Sequence, residues 1–257
     1  MNSVFYALLF FTFLCFPLHS SGQIVESGSS EIWGLPERYY PPLSEERIFE
    51  LDIFEPYGLS NIISLHAGLS VWQAQTLKRI RYSFQAIPGY RKHSIFGEFA
   101  MELANNVLVS QGLGFGFLES WNVHPPSFLI FSHNVILYSL SDLQNLFFSL
   151  DNWMSLFWPD SPHLPNCKAS LTFVQNISEQ VDVRAAFRFL SGSKSKILAA
   201  ISYKVNDNHE LFLSLNLTPF ELGLGYAFSY NHLQFRLLIE HSPLFGQSPY
   251  TSIRWDL

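Results

Sequence analysis

Residues 211–230 read LFLSLNLTPFELGLGYAFSY, and apolar side chains occupy every second position on both sides of Thr218-Pro219. A period of two is typical of a β-strand whose two faces meet different surroundings, because successive side chains of a strand point to opposite faces. Threonine and proline at the interruption are residues that mark turns. The stretch therefore predicts two adjacent antiparallel strands, each with one apolar face.

The same alternation continues on both sides of this hairpin. It covers residues 181–189, 197–204, 233–240 and 251–257. The first half of the chain carries noisier segments of the same kind, at 49–54, 62–72, 79–87, 94–104, 107–118, 128–138, 146–153 and 169–175. Together they predict an all-β fold, an antiparallel up-and-down meander of about 14 strands, with about 12 as the lower limit.

Residues 142–157 fit two interpretations. Leu146, Leu150 and Trp153 recur at helical spacing, and Ser141 with Gln144 resembles a capping box. A helix would leave an odd number of strands and would place the two ends of the sheet on opposite sides. We therefore favour a strand here, with the helix as the alternative.

Composition indicates that this sheet lies in a membrane. Charged residues make up 14% of the chain and aromatic residues 16%, whereas a soluble domain carries about 25% charged residues. After the first 22 residues, no apolar stretch reaches the roughly 20 residues that a spanning helix requires. Only helices and closed sheets satisfy their backbone groups in lipid, so the prediction is a transmembrane β-barrel. A net charge of −6 also argues against nucleic acid as a partner.

The start of the chain resembles an export signal. Residues 4–16 are apolar over a length typical of a signal peptide, and Ser20, Ser21 and Gly22 are small residues of the kind that precede a cleavage site. We expect a signal peptide over 1–22 with cleavage near Gly22/Gln23, a periplasmic or plug segment over 23–47, and the barrel over 48–257. The rival interpretation is a retained membrane anchor, since residues 1–3 carry no Lys or Arg. Export of a barrel implies the outer membrane of a Gram-negative bacterium, with membrane lipid around it.

The connections agree with the topology of bacterial barrels, which have an even strand number, short periplasmic turns and longer outside loops. Counted back from a periplasmic C-terminus, the longer connections at 241–249, 159–168, 120–127 and 55–61 fall outside. The same count places five aromatic side chains toward lipid near one rim, where an aromatic girdle belongs. These residues are Trp72, Tyr203, Tyr226, Tyr230 and Trp255.

The opposite face of the strands predicts the lining of the lumen. Charges of both signs alternate there with apolar residues such as Leu198, Phe212 and Leu238. Such charges most often pair across strands, so we expect a narrow or plugged lumen with an amphipathic pocket. The candidate lumen-lining residues are Glu98, Glu102, Arg184, Arg188, Arg236, Glu240 and Arg254.

The chain offers little for catalysis, for a metal or for a cofactor. Ser132 and His133 are adjacent, but neighbours in a strand point to opposite faces, so they cannot act as a nucleophile and its base. His163 and Cys167 are two possible metal ligands in a Pro-rich loop, and two ligands are weak support for a site. We predict a non-enzymatic protein with no catalytic, cofactor-binding or metal-binding residues.

Four segments resemble the outer-membrane barrels related to PorV and PorQ of the type IX secretion system and, more distantly, the FadL-type barrels. The segments are Pro56-Tyr57-Gly58-Leu59, Leu150-Asp151-Asn152-Trp153, residues 220–230, and a closing loop over 241–248 with His241, Pro243, Leu244 and Gly246. Gln247-Ser248 stands where that group has a Thr-His pair. The resemblance implies a 14-stranded barrel but leaves the function open.

Three functions remain open at this point. The first is an outer-membrane barrel acting in transport, or as an accessory to secretion or assembly with other envelope or secretion-system proteins as partners. The second is a FadL-like conduit for hydrophobic small molecules, which would be its ligands. The third is a barrel enzyme that acts on lipid.

Overall fold

The structure is a computed structural model that describes the chain from residue 46 to residue 257, apart from short gaps. The described residues are 46–55, 62–73, 75–104, 106–120, 123–141, 143–157, 166–190, 195–217, 220–243 and 246–257. The expected signal peptide and its cleavage site, nearly all of the segment 23–47, and the Pro56–Leu59 turn lie outside them.

The described residues form fourteen strands. They are β1 Glu46–Phe54, β2 Ile63–Gln73, β3 Thr76–Ile87, β4 Tyr90–Ala104, β5 Val107–Ser120, β6 Val123–Ser141, β7 Gln144–Asp151, β8 Lys168–Ser178, β9 Val181–Leu190, β10 Lys196–Asn206, β11 His209–Leu217, β12 Phe220–Tyr230, β13 Leu233–Ser242 and β14 Gly246–Asp256.

The sheet closes into a barrel in which every strand pairs with its neighbours in the chain and β1 pairs with β14. All pairs are antiparallel, and the closing pair joins Ile48 to Asp256 and Phe54 to Tyr250 in register. The Tyr250 hydroxyl also donates to Asp52 at 2.9 Å across this seam. The predicted fold, an antiparallel up-and-down barrel of 14 strands, is confirmed.

The outer face carries a continuous apolar belt. In β12 it consists of Phe220, Leu222, Leu224, Tyr226, Phe228 and Tyr230, all exposed. Eleven residues that rise about 3.4 Å each along a strand tilted by about 40° span roughly 27 Å. That height matches the hydrocarbon band of a membrane barrel, which is about 25 Å.

The two ends of the barrel differ in their connections. At one end, which we call the turn end, the connections after β2, β4, β6, β8, β10 and β12 each span two residues, and Glu46 and Leu257 lie there too. Asn231 and Gln75 take left-handed backbone angles in two of these turns, with φ of 52° and 65°. Tight two-residue hairpins often need such angles. The opposite end, the loop end, carries the longer connections, as the sequence predicts.

Two predicted loops are wrong. Residues 241–249 read as a long connection, yet β13 ends at Ser242 and β14 begins at Gly246, so only residues 243–245 lie between them. The sequence stretch 121–127 has two prolines and reads as a long connection, yet β5 ends at Ser120 and β6 begins at Val123. The pairing shifts between Leu118 and Ser120. A bulge of this kind is where a strand accepts a proline.

The ambiguous segment 142–157 is a strand followed by a short turn. β7 covers Gln144–Asp151, and a 3-10 turn covers Trp153–Leu156. The helical spacing seen in the sequence therefore joins two different elements, and the favoured interpretation is confirmed. Within the described part of the chain, no helix is long and apolar enough to span a membrane.

Four of the five girdle residues face outward at the turn end, and Trp72 does not. Tyr203, Tyr226, Tyr230 and Trp255 are exposed, whereas Trp72 is 3% exposed and lies inside the barrel. Trp72 belongs to the same face of β2 as Ser64, Ser70 and the other inward residues. The prediction that Trp72 belongs to the girdle is therefore wrong, because the alternation of β2 turns this side chain inward.

Candidate functional site

The interior of the barrel is the candidate site, and the predicted lumen residues lie on it. Glu98, Glu102, Arg184, Arg188, Arg236, Glu240 and Arg254 all fall on the inward-facing positions of β4, β9, β13 and β14. Glu98, Arg184, Arg188 and Glu240 are buried, each at most 8% exposed. The charged wall is therefore largely shielded from water.

The most buried ion pair crosses from β3 to β4. Arg79 Nη1 lies 3.0 Å from Glu98 Oε2, with both side chains almost fully buried. Arg79 Nε donates to the Ser70 hydroxyl at 2.9 Å, and the Ser110 hydroxyl donates to Glu98. Four neighbouring strands, β2 to β5, thus contribute one polar group each. Because Arg79 and Glu98 carry opposite charges, the network adds no net charge to the lumen.

His133 connects this network to β7. Its Nδ1 hydrogen-bonds the Asp151 carboxylate, and its Nε2 lies 3.9 Å from Glu98 Oε1. Its ring also meets Phe96 edge-on, with ring centroids 6.0 Å apart. The side chain is held by contacts with two strands besides its own, β4 and β7, which restrains it inside the lumen.

Ser132 is on the other face, as the alternation predicts. Its hydroxyl accepts a hydrogen bond from the Met154 backbone N–H at 3.4 Å, so the 3-10 turn lies against the outside of β6. Trp153 is also close to Asn134, the next outward residue of β6, with its indole N–H donating to that amide. Ser132 and His133 therefore do not form a nucleophile–base pair.

A track of glycines on β5 holds two aromatic rings against the inner wall. A Cβ atom on Gly112 would lie 2.3 Å from the Phe96 ring, and one on Gly116 would lie 2.8 Å from the Phe131 ring. The rings occupy the space that side chains would fill. Arg81 lies over Phe96 at 5.5 Å and Lys92 over Phe131 at 4.7 Å, distances at which a cation attracts an aromatic face.

Sequence reasoning missed this arrangement. Gly112, Gly114 and Gly116 alternate with Leu113, Phe115 and Phe117. Three glycines on one face of a strand are a signal of close approach by a neighbour. That signal could have identified the track.

Two apolar clusters line other parts of the interior. The first joins β2 to β8 near the turn end and contains Trp72, Leu77, Ala100, Leu108, Val135, Leu137, Phe147 and Val174. The second joins β9 to β14 and contains Ala186, Leu198, Ala200, Phe212, Ala227 and Leu238, with Tyr250 against it. The inner wall is thus amphipathic, as the sequence predicts.

A cavity of about 720 Å³ opens at the turn end, on the side of β8 to β14. Its charged lining residues include both signs, and two of its ion pairs are direct: Arg184 to Asp182 at 3.4 Å and Arg254 to Asp256 at 3.1 Å. Lys204, Glu210 and Gln234 also line it. The cavity offers room for a small molecule within the described part of the interior.

The described residues of the family-like closing loop lie at the loop end, where β13 ends and β14 begins. His241 is exposed on the outer side of β13, and Pro243 lies in the turn that follows. Gly246 has φ of 92°, an angle that glycine adopts without strain. Leu244 lies outside the described residues.

No group of three potential metal ligands occurs among the described residues, and His163 is outside them. Cys167, just before β8, is buried. Burial raises the pKa of this thiol to about 12, and the negative charge of Asp151 acts in the same direction. The thiol is therefore protonated at neutral pH and makes a poor metal ligand or nucleophile.

Comparison with known proteins gives structural similarity without sequence similarity. No protein-family model matches the chain, and no curated protein matches its sequence. The Pseudomonas putida toluene transporter TodX is similar in structure, with a TM-score of 0.58, 7% identity, and coverage of 93% of this chain and 95% of TodX. A Pseudomonas aeruginosa FadL homologue has a TM-score of 0.50 and 8% identity, with 82% and 88% of the two chains covered. A TodX deltaS2S3 mutant, described as a monoaromatic hydrocarbon channel, has a TM-score of 0.54 at 8% identity, over 90% and 94%. At these identities the similarity shows the fold, which is that of outer-membrane barrels.

Proposed function

We propose that this chain is a non-enzymatic outer-membrane transport barrel that conducts small hydrophobic molecules through its lumen. The observation that carries the proposal is the amphipathic inner wall, in which ion-paired charges alternate with apolar clusters and aromatic rings. An open porin has a water-filled channel with a polar wall. The wall of this barrel is buried and partly apolar instead, so it favours solutes that leave water readily.

The free energy that such a solute gains on moving from water to the wall is substantial. An aromatic ring the size of a phenylalanine side chain buries about 150 Å² or more. At about 25 cal/mol per Å², its transfer from water to an apolar wall gains roughly 4 kcal/mol. A sugar gains little from the same contacts, because its hydroxyl groups would lose their hydrogen bonds to water. The structural similarity to a toluene transporter and to a FadL homologue supports the same substrate class.

Uptake into proteoliposomes tests the proposal. With lipopolysaccharide in the outer leaflet to slow passage through the bilayer itself, the refolded barrel is expected to raise the entry rate of toluene over that of protein-free vesicles, and to leave the entry of arabinose unchanged. Phe212→Ala, which removes a ring from the second apolar cluster, is expected to change toluene entry. Leu213→Ala is the matched control, because Leu213 is the next residue of β11 and faces lipid. Equal entry of both solutes through the parent barrel would contradict the proposal.

The second candidate is an accessory role in secretion or assembly, similar to PorV or PorQ. It rests on the closing loop, where the exposed His241 and the positive φ of Gly246 form a compact turn at the loop end. This role predicts co-purification with other envelope proteins from detergent-solubilised outer membrane. A barrel that purifies alone, and still carries toluene, would leave only the first candidate.

A further inference from the structure

Two cations lie in one row across the strands on the lipid-facing surface, close to the turn end. Arg47 in β1 is opposite Val71 in β2, and Val71 is in turn opposite Lys78 in β3. The three residues form one row across the strands, so Arg47 and Lys78 are two strand spacings apart, about 10 Å. Both side chains are exposed.

No acidic side chain faces the same surface. The outward positions of β1 to β4 carry no Asp or Glu among the described residues. Arg91 is the other outward arginine of these strands, at the loop end, and it pairs in register with Glu119 of β5. The turn-end cations therefore have no such acidic side chain opposite them in the sheet. A cation at a membrane interface is stabilised by an anion in the headgroup layer.

The row next to the cations, toward the middle of the membrane, is apolar. It consists of Phe49, Leu69 and Ile80, which are opposite one another in β1, β2 and β3. Trp255 of β14 is opposite Phe49 and extends this row on one side. All four side chains are at least 36% exposed. A headgroup held by the cations would thus have its acyl chains on this apolar row.

Gly97 gives the apolar row a depression on its other side. Gly97 in β4 is opposite Ile80 and faces outward. A Cβ atom there would meet nothing closer than a backbone oxygen at 4.0 Å. The position is open space between the exposed side chains of Ile95 and Phe99.

From this surface we infer a binding site for an anionic glycerophospholipid, with its phosphate between Arg47 and Lys78 and an acyl chain along the depression at Gly97. Arginine binds phosphate oxygens through two parallel hydrogen bonds, and lysine adds a point charge. The inference requires only that the barrel lies in a membrane, and it does not depend on the cargo.

Native mass spectrometry of the detergent-solubilised barrel tests the site. The barrel is titrated separately with phosphatidylglycerol and phosphatidylcholine of identical acyl chains, and the two apparent dissociation constants are compared. Each cation near an anionic headgroup is expected to favour phosphatidylglycerol by about fivefold. Arg47→Gln and Lys78→Gln should each lose about that factor, and the double variant should bind the two lipids about equally.

Three further variants separate the site from its alternatives. Arg91→Gln, at the opposite end, is expected to leave the preference unchanged. The double variant Arg47→Lys/Lys78→Arg keeps both charges and is expected to retain most of the preference. Gly97→Ile fills the depression, so it should weaken the binding of both lipids by the same factor. A folded barrel migrates differently in a gel before and after heating, and each variant should keep this difference to show that it is folded.

The inference is overturned by any of three results. The Arg47→Gln/Lys78→Gln variant keeps the preference for phosphatidylglycerol, or Arg91→Gln loses it equally, or the parent barrel prefers lipid A of lipopolysaccharide to phosphatidylglycerol. The last result would assign the phosphate to the other class of outer-membrane lipid. Because none of these measurements involves toluene, their failure is distinct from a failure of the transport proposal.

Discussion

Replacing Glu98 by glutamine should destabilise the barrel strongly. Glutamine keeps the size of the side chain but removes its charge, and Arg79 is 3.0 Å away with both side chains no more than 6% exposed. The substitution leaves the Arg79 cation buried without its counter-ion. The Ser110 hydroxyl, which donates to Glu98, also loses a charged acceptor.

The magnitude follows from the burial of the pair. Removing one partner of a buried ion pair costs about 3–5 kcal/mol, because the remaining charge stays desolvated. The Ser70 hydroxyl still accepts from Arg79 Nε at 2.9 Å, so we expect a value near the lower limit, about 3 kcal/mol. Replacing both partners by apolar residues, Arg79→Met with Glu98→Leu, should recover most of this loss. A buried pair exchanged for hydrophobic residues of similar volume is often neutral.

Urea unfolding in phospholipid vesicles, followed by tryptophan fluorescence, measures these free energies. Glu102→Gln is the control, since Glu102 is in the same strand nearer the turn end and is only partly buried. Its cost should stay below about 1 kcal/mol. A cost below about 1 kcal/mol for Glu98→Gln, or a double variant less stable than the single one, would refute the reasoning.

Three other predictions concern different parts of the wall. Gly112→Val places a side chain where the Phe96 ring lies, and overpacking of this kind should cost about 1–3 kcal/mol in the same unfolding assay; an unchanged midpoint would contradict it. Leu224→Arg puts a charge on a residue of the outer belt that is 65% exposed. The free energy of unfolding in vesicles should fall by about 2–4 kcal/mol, the cost of a cation near the bilayer midplane. An unchanged free energy of unfolding would mean that the outer face is not in lipid. Cys167 should react with maleimide slowly at pH 7 in the folded barrel, because its pKa is raised to about 12. It should react quickly once urea unfolds the chain and restores the ordinary pKa of a thiol. Rapid labelling of the folded barrel would show that the thiol is accessible and ionised.

The alternation of the sequence was sufficient to predict the sheet. A strand that lies between lipid and the lumen alternates apolar side chains with polar or small ones. The pattern in 211–230 therefore corresponds directly to β11 and β12. The even strand number and the placement of the longer loops follow from the same pattern with the rules of barrel topology. The boundaries were less predictable, because a strand continues past the bilayer wherever its neighbour still offers hydrogen bonds. β5 and β6 do so up to Ser120 and Val123.

The contacts inside the barrel were not predictable in the same way. Alternation places His133 on the inner face, but only the register of β6 with β7 brings it opposite Asp151. The Tyr250–Asp52 hydrogen bond across the seam joins residues 198 positions apart in the chain. A single sequence records which face a residue occupies and contains no signal for its partner on a distant strand.

Under the proposed transport function, the position of Trp72 bears on the path that a solute can take. Its burial places a large ring in the first apolar cluster, which occupies the turn end along β2 to β8. The cavity at that end extends along β8 to β14, and Val174 is the member of that cluster that lines it. In the proposed transport, a molecule that leaves at the turn end would pass through this cavity, whose lining does not include Trp72. For this reason, we expect the ion pairs of Arg184 and Arg254, which line the cavity, to set the selectivity of the proposed transport, and the Arg79–Glu98 network to affect stability far more than flux.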